Sequence, residues 1–476
     1  MYLSSLICTP LALRMLLSCT GQQVVVKINT DSVLNDISDH PVGINLDYLT
    51  DDDKYLQPQR PLVEALRAMG VKYLRYPGGN KSDFYFFSRP PYEKAEPTLA
   101  RTGEHATGGR GEMLKDDYTA FRYDVLDFDE FIHICRQVGA EPVVVVAADE
   151  YLVKYPPGST WSSREQLLQH AVEWVKYANI KKRYQVKYWM IGNESWHKEN
   201  ENSSAQIYAQ DVVDFSRAMK AIDPSILIIP NGNNKEWWKT VLTIAADHID
   251  ALCVSNYPLS DCDKVSTDLL GSVSAAEAAI RQHAPPESRD SLRIIVAEYG
   301  PYSWCPGGEH TMLNTMENAL VNLDITFRQL QHPSILFSCF WNTRWINDGG
   351  GKWAGFNALD KNGQFTANGY SLMIAGKFLG DQMLLTTSSS DRLKAYSSLD
   401  SRQHRLYLYL INTSNELLAV RDQVSGNETK SVQRAWELSG AGSQDKQPVW
   451  RAIDGLTPRQ ELHIPPQRIW VIQYAL

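Results

Sequence analysis

Lys187-Tyr-Trp-Met-Ile-Gly192 is a short run of large apolar residues that stops abruptly at Asn193-Glu194. Apolar residues with no polar alternation fit a strand covered on both faces, the pattern of a parallel sheet. Working outward, runs of the same kind lie at 42–46, 71–75, 141–146, 226–230, 251–255, 293–297 and 335–341. Between them fall helix-like stretches at 61–69, 126–138, 163–177, 205–222, 236–246, 274–282, 313–330 and 370–379. Eight strand–helix units predict an α/β chain with a (β/α)8 TIM barrel over 39–380. A doubly wound sheet is the competing arrangement.

Beyond residue 379 the pattern changes. Arg405-Leu-Tyr-Leu-Tyr-Leu-Ile411, 417–420 and Arg468-Ile-Trp-Val-Ile-Gln-Tyr474 read as strands separated by polar turns. They predict an all-β sandwich over 381–476. A strand at 23–28, within 21–38, is expected to join it. Residues 1–20 read as a leader. Met1 to Leu13 is apolar, Arg14 interrupts it, and Leu16-Leu-Ser-Cys19 resembles a bacterial lipobox. The expectation is export, with Cys19 as a possible lipid anchor and the only link to a membrane.

The chain has 476 residues, 43% of them hydrophobic, and a net charge of −8. That charge argues against a nucleic-acid partner, which normally meets a basic surface. The 13 Trp and 23 Tyr suit a carbohydrate partner, because sugar C–H faces stack on aromatic rings, although aromatics also fill cores. Seven cysteines do not make a disulfide scaffold, and whether Cys253 and Cys262 bridge is a matter of geometry. No spacing points to a metal site, and no cofactor is expected. The long segment 78–124 contains Phe84-Tyr-Phe-Phe87, Pro90-Pro-Tyr92, His105 and Gly108-Gly-Arg-Gly111. It reads either as a wall of a substrate cleft or as a cap over the barrel mouth.

The chemistry rests on two glutamates. Glu194 follows the fourth run, and Glu298 ends the seventh in Arg293-Ile-Ile-Val-Ala-Glu298. A carboxylate at the mouth of a buried strand is costly unless paired or used. Two on one barrel face match the acid and nucleophile of a retaining glycosidase, which stand about 5–5.5 Å apart. Asn193 is placed to meet a sugar 2-hydroxyl.

With these residues in view, the chain resembles glycoside hydrolase clan A, the retaining TIM-barrel glycosidases. Leu74-Arg-Tyr-Pro-Gly-Gly-Asn80 and Tyr188-Trp-Met-Ile-Gly-Asn-Glu194 are similar to the second- and fourth-strand segments of the α-L-arabinofuranosidase family. The resemblance implies Glu194 as acid/base, Glu298 as nucleophile, Asn193 as hydroxyl ligand and Arg75 beside the nucleophile, keeping it ionised. It also implies substrate contacts at Asn80, Tyr257 and Trp341. Asp47 stands where the family tends to have a glutamate, and Ser255-Asn256-Tyr257 where it tends to have a histidine–tyrosine pair. Trp304, Trp345 and Trp353 are further candidate sugar platforms. The implied activity is retaining hydrolysis of plant or algal polysaccharide, or of oligosaccharides from it. Alternatives are a β-xylosidase, β-glucuronidase or β-agarase type, lyase chemistry, or a non-catalytic carbohydrate-binding barrel. The glycosylation pattern is matched at Asn193, Asn202, Asn412 and Asn427, among other positions.

Overall fold

A computed structural model describes residues 23–88, 90–92, 95, 125–148, 163–198, 204–258, 268–301, 314–344, 354–425, 431–457 and 461–476. The leader with Cys19, His105, the 108–111 glycines, Asn202, Cys262, Trp304, Trp345, Trp353 and Asn427 lie outside them.

The eight predicted runs form one parallel sheet. In chain order its strands are Val42–Asn45, Tyr73–Tyr76, Glu141–Val146, Tyr188–Ile191, Leu227–Pro230, Ala251–Asn256, Arg293–Tyr299 and Ile335–Phe340. Each pairs in parallel with its sequence neighbour, and the eighth pairs with the first. Between the fifth and sixth, a single bridge, Asn231 to Cys253, closes the ring. The doubly wound alternative is thereby excluded.

The period-2 geometry of a strand sorts its side chains into two layers. Tyr73, Val143, Val145, Tyr188, Met190, Ile229, Cys253, Ile295, Phe337 and Cys339 fill the barrel interior. Their neighbours Leu74, Val144, Trp189, Ile228, Val254, Ile294 and Val296 face the helices. Both layers are apolar, which is why the strands read as continuous runs. The helices begin where side chains satisfy their first N–H groups. Asp127 and Glu130 form a reciprocal capping box at Phe128–Val138, and Ser163 and Gln166 form another at Arg164–Val175.

The aromatic run after the second strand belongs to this helix layer. Tyr85 and Phe87 are fully buried, and Phe87 lies 5.5 Å from Trp174, ring to ring. The backbone N–H of Phe87 also donates to His170 Nε2 at 2.9 Å. Tyr85 and Phe87 are therefore packing in the helix layer, while residues 96–124 of the long segment lie outside the described residues.

The remaining strands build a nine-stranded sheet. In spatial order they are Val449–Ala452, Ser431–Ser439, Arg468–Ala475, Arg405–Asn412, Leu393–Asp400, Gln382–Ser388, Val24–Asp36, Leu418–Ser425 and Leu462–Ile464. The sheet curls into a sandwich, because strands far apart in this order share one core of Val26, Leu384, Leu408, Leu410, Val420 and Ile472. Tyr474 also donates across it to Asp422 at 3.0 Å. Tyr409, Ile411, Ile469 and Val471 point the other way, into the core shared with the barrel. There Phe327 of the helix Met316–Leu330 lies 4.2 Å from Tyr409, tilted, and stacks 5.1 Å from Tyr396, ring to ring. The sequon at Asn412 is ruled out as a glycan acceptor: the residue is buried and its amide donates to the carbonyls of Glu416, Ile464 and Pro465.

Candidate active site

The C-terminal ends of the barrel strands gather the predicted residues around one guanidinium. Arg75 stands one side-chain layer above Tyr73 on the second strand and is 2% exposed. Its Nη1 donates to Glu298 Oε1 at 2.9 Å and to Asn45 Oδ1 at 2.8 Å. Its Nη2 donates to Asn193 Oδ1 at 2.5 Å, and its Nε faces Met190 Sδ at 3.2 Å. Burial opposes the guanidinium charge and the Glu298 carboxylate favours it, leaving the Arg75 pKa above its usual value.

Glu298 is not at the end of its strand, as the sequence suggested, but inside it. Strict alternation would turn its side chain toward the helices, since Ala297 already faces the barrel interior. The register against the sixth strand slips between Val254 and Ser255, pairing Val296 with Val254 and Glu298 with Ser255. This bulge turns two successive side chains to the same face. Glu298 thereby reaches Arg75, and its second oxygen accepts from the Tyr257 hydroxyl at 3.0 Å. Burial, then the Glu298 and Glu194 charges, push the Tyr257 phenol far above its ordinary range. It therefore stays a donor. Burial chiefly, with the same two carboxylates against Arg75, pushes the Cys253 thiol up to about 12. Cys253 is a buried free thiol. Both glutamates thus act on the same two groups.

Glu194 lies three residues past the fourth strand. Its backbone takes φ 46°, a left-handed conformation that is uncommon for a residue with a side chain. Asn231, after the fifth strand, brackets it. The Asn231 Nδ2 donates to the Ile191 carbonyl at 2.9 Å, and its Oδ1 accepts from the Ser195 N–H at 2.8 Å. Gly192, Asn193 and Glu194 are the residues between those two anchors. Asn231 is itself fixed, its N–H donating to Tyr208 Oη and its carbonyl accepting from Trp237 Nε1.

Asn80 accepts from Asn193 Nδ2 at 2.9 Å, completing a chain of contacts from Asn80 through Asn193 and Arg75 to Glu298. Trp341 follows the eighth strand and is 4% exposed. A Cβ on Gly79, whose φ is +50°, would run into the six-membered ring of Trp341, so glycine is required there. Asp47 is buried, but its partners are Lys81 Nζ and the N–H of Leu49. No described contact joins it to either glutamate.

Sequence reading missed Asn45, Lys81 and Asn231. Two of them carried the signal that marked the glutamates, a polar residue closing an apolar run: Val42-Gly-Ile-Asn45 and Leu227-Ile-Ile-Pro-Asn231. Asn45 supports the floor by donating to the carbonyls of Ala297 and Phe340 at 2.9 and 3.2 Å.

Residues 65–256 match the family described as the alpha-L-arabinofuranosidase 1 domain. The chain is similar to the α-L-arabinofuranosidases. The match contains Arg75, Asn80, Asn193 and Glu194, and ends just before Tyr257. The probable α-L-arabinofuranosidase C of Aspergillus niger is 26% identical over 196 residues, 37% of this chain and 32% of that protein. An intracellular exo-α-(1→5)-L-arabinofuranosidase of Acetivibrio thermocellus is 24% identical over 229 residues, 44% of this chain and 40% of that protein. The chain thus spans well under half the length of these curated relatives. In fold the likeness extends further. The crystal structure of an α-L-arabinofuranosidase from Thermotoga maritima in an arabinose complex superposes with a TM-score of 0.72. It covers 95% of this chain and 100% of that one, at 18% identity, which is a likeness of architecture.

Proposed function

We propose that the chain is a retaining glycoside hydrolase of the α-L-arabinofuranosidase type. Its substrates are plant or algal polysaccharide, or oligosaccharides derived from it. The observation that carries this is the buried guanidinium of Arg75, which ties Glu298 to the Asn193-Glu194 segment. In this reading Glu298, held by Arg75 and Tyr257, attacks the anomeric carbon while Glu194 protonates the departing oxygen. The C–O bond to the leaving group breaks as the bond to Glu298 forms. Glu194, now ionised, then takes a proton from the water that releases the sugar. Asn193, fixed between Arg75 and Asn80, offers the sugar 2-hydroxyl a preorganised partner.

The Asp47–Lys81 pair favours a second reading, another sugar within the same clan, because the family's usual glutamate is replaced here by a carboxylate already paired with an ammonium. A panel of aryl α-L-arabinofuranosides, β-xylosides and β-glucuronides, with agar and arabinan, separates the two. We further propose that the protein is exported, with Cys19 as a candidate lipid anchor. Radiolabelled palmitate incorporation that is lost in Cys19→Ala tests this.

The catalytic assignment has its own test. Glu298→Ala is expected to lose at least about a thousandfold in kcat. Azide is expected to restore turnover, giving a glycosyl azide of inverted configuration. Unchanged kcat would remove Glu298 from the nucleophile's role.

A further inference from the structure

The seventh barrel strand breaks register with both of its neighbours at the same place. Against the sixth strand, Val296 pairs with Val254 and Glu298 with Ser255. Against the eighth, Val296 pairs with Ser338 and Tyr299 with Phe340. Ala297, the residue before Glu298, has a partner residue in neither register. Its carbonyl is held instead by a side chain of the first strand. Asn45 Nδ2 donates to it at 2.9 Å, and also meets the carbonyls of Phe340 and Cys339 at 3.2 and 3.4 Å. The other end of the same amide, Oδ1, accepts from Arg75 Nη1 at 2.8 Å. Asn45 is fully buried and stands opposite Arg75 in the register of the first and second strands.

We propose that Asn45 is a positioning residue for the nucleophile, setting the peptide that leads into Glu298 and, through Arg75, its carboxylate. This rests on the assignment of Glu298 as the nucleophile. The Arg75 Nη1 that Asn45 holds is the same nitrogen that donates to Glu298 Oε1 at 2.9 Å. One amide therefore fixes Glu298 from the backbone side and from the carboxylate side. The carbonyls require a donor and the guanidinium requires an acceptor, and a carboxamide supplies one at each end. Leucine, of similar size, would orphan both sides, and an ionised aspartate would turn an oxygen toward the carbonyls. A bulge re-aims a side chain but leaves its own extra residue outside the ladder. Slack there passes directly to the attacking oxygen, whose approach to the anomeric carbon must be in line.

The test removes the nucleophile and asks whether Asn45 still matters. On an activated aryl glycoside, Asn45→Ala is expected to lose about a hundredfold in kcat, the cost of roughly 1 Å of displacement, with KM little changed. In Glu298→Ala rescued by azide, the attacking group no longer hangs from the bulge, so adding Asn45→Ala is expected to cost little. An undiminished cost in that background, or no loss of kcat in the single variant, would overturn the positioning role. Asn45→Asp keeps the acceptor for Arg75, whose charge holds it ionised, and loses the donor. It is expected to lose kcat as the alanine variant does, and parent-like kcat would also overturn the role. If circular dichroism shows that Asn45→Ala does not fold, Asn45→Ser replaces it in both backgrounds with the same expectations. The nucleophile assignment has its own readout. If azide does not rescue Glu298→Ala alone, that assignment fails and the role of Asn45 with it. If azide rescues and the cost of Asn45→Ala persists, the positioning role alone fails.

Discussion

Asn231 shows how much of this site depends on residues other than the two glutamates. Its amide holds the Ile191 carbonyl with one atom and the Ser195 N–H with the other, clamping the left-handed turn at Glu194. Asn231→Ala removes both anchors. A displacement of about 1 Å in a reacting group can cost about a hundredfold. The expected result is a loss of that order on substrates with poor leaving groups and a much smaller one on activated aryl glycosides. Asn231→Asp keeps the acceptor for Ser195 and should fall between. Steady-state kinetics over a leaving-group series checks this, and a uniform loss over the series would mean that Asn231 serves stability alone. The glutamates were legible in the sequence because each closes an apolar run. Asn231 closes one too, but an asparagine in that place is also ordinary turn chemistry, and only contacts reveal what its amide holds.

Strand positions were legible because barrel strands are apolar on both faces. The bulge that turns Glu298 inward was not, since Arg293-Ile-Ile-Val-Ala-Glu298 contains no glycine or proline to announce it. The sandwich was read from its most apolar strands. Gln382–Ser388, Leu393–Asp400, Ser431–Ser439, Val449–Ala452 and Leu462–Ile464 escaped, being short or interrupted by polar residues. Connections carry their own physics. His40 sits in the turn between Val24–Asp36 and the first barrel strand, at φ 48°. Burial and then Lys72 lower its pKa from 6.5, against Asp381, Asp400 and Asp39. The unfolded chain therefore binds this proton more readily than the folded one. His40 accordingly contributes stability that is present above 6.5 and lost as pH falls through the lowered value. His40→Asn keeps a residue tolerant of that backbone and removes the titration. Thermal melts at about pH 7.5 and about pH 5.5 should show a smaller drop in Tm for the variant than for the parent, and an equal drop would remove His40 as its source.

At the scale of the whole molecule, barrel and sandwich share a core. Tyr409 lies on the sheet, its ring against Phe327 and its hydroxyl donating to the Phe378 carbonyl. Tyr396 beside it donates to Asp324 of the same barrel helix. The sheet segment 440–448 also reaches the start of that helix, where the N–H groups of Met316 and Glu317 donate to the carbonyls of Asp445 and Ser443. Tyr409→Ala is expected to cost about 3–5 kcal/mol, the range for emptying a buried aromatic site. Tyr409→Phe should cost only about 1–3 kcal/mol, for the orphaned carbonyl. Urea denaturation of both variants measures this, and near-equal losses would assign the effect to the hydroxyl. Arg405–Asn412 was read as a strand of the sandwich, yet nothing in its sequence says that one of its faces packs on the barrel.

The bridge between Asn231 and Cys253, with the Asp250 N–H donating to the Ile228 carbonyl, closes the ring of strands, and Asn231 also clamps the turn at Glu194. Catalysis and cylinder therefore share a latch. A change that opens this seam is therefore expected to move the Glu194 turn as well, so the weld between the fifth and sixth staves bears on the site as much as on the cylinder.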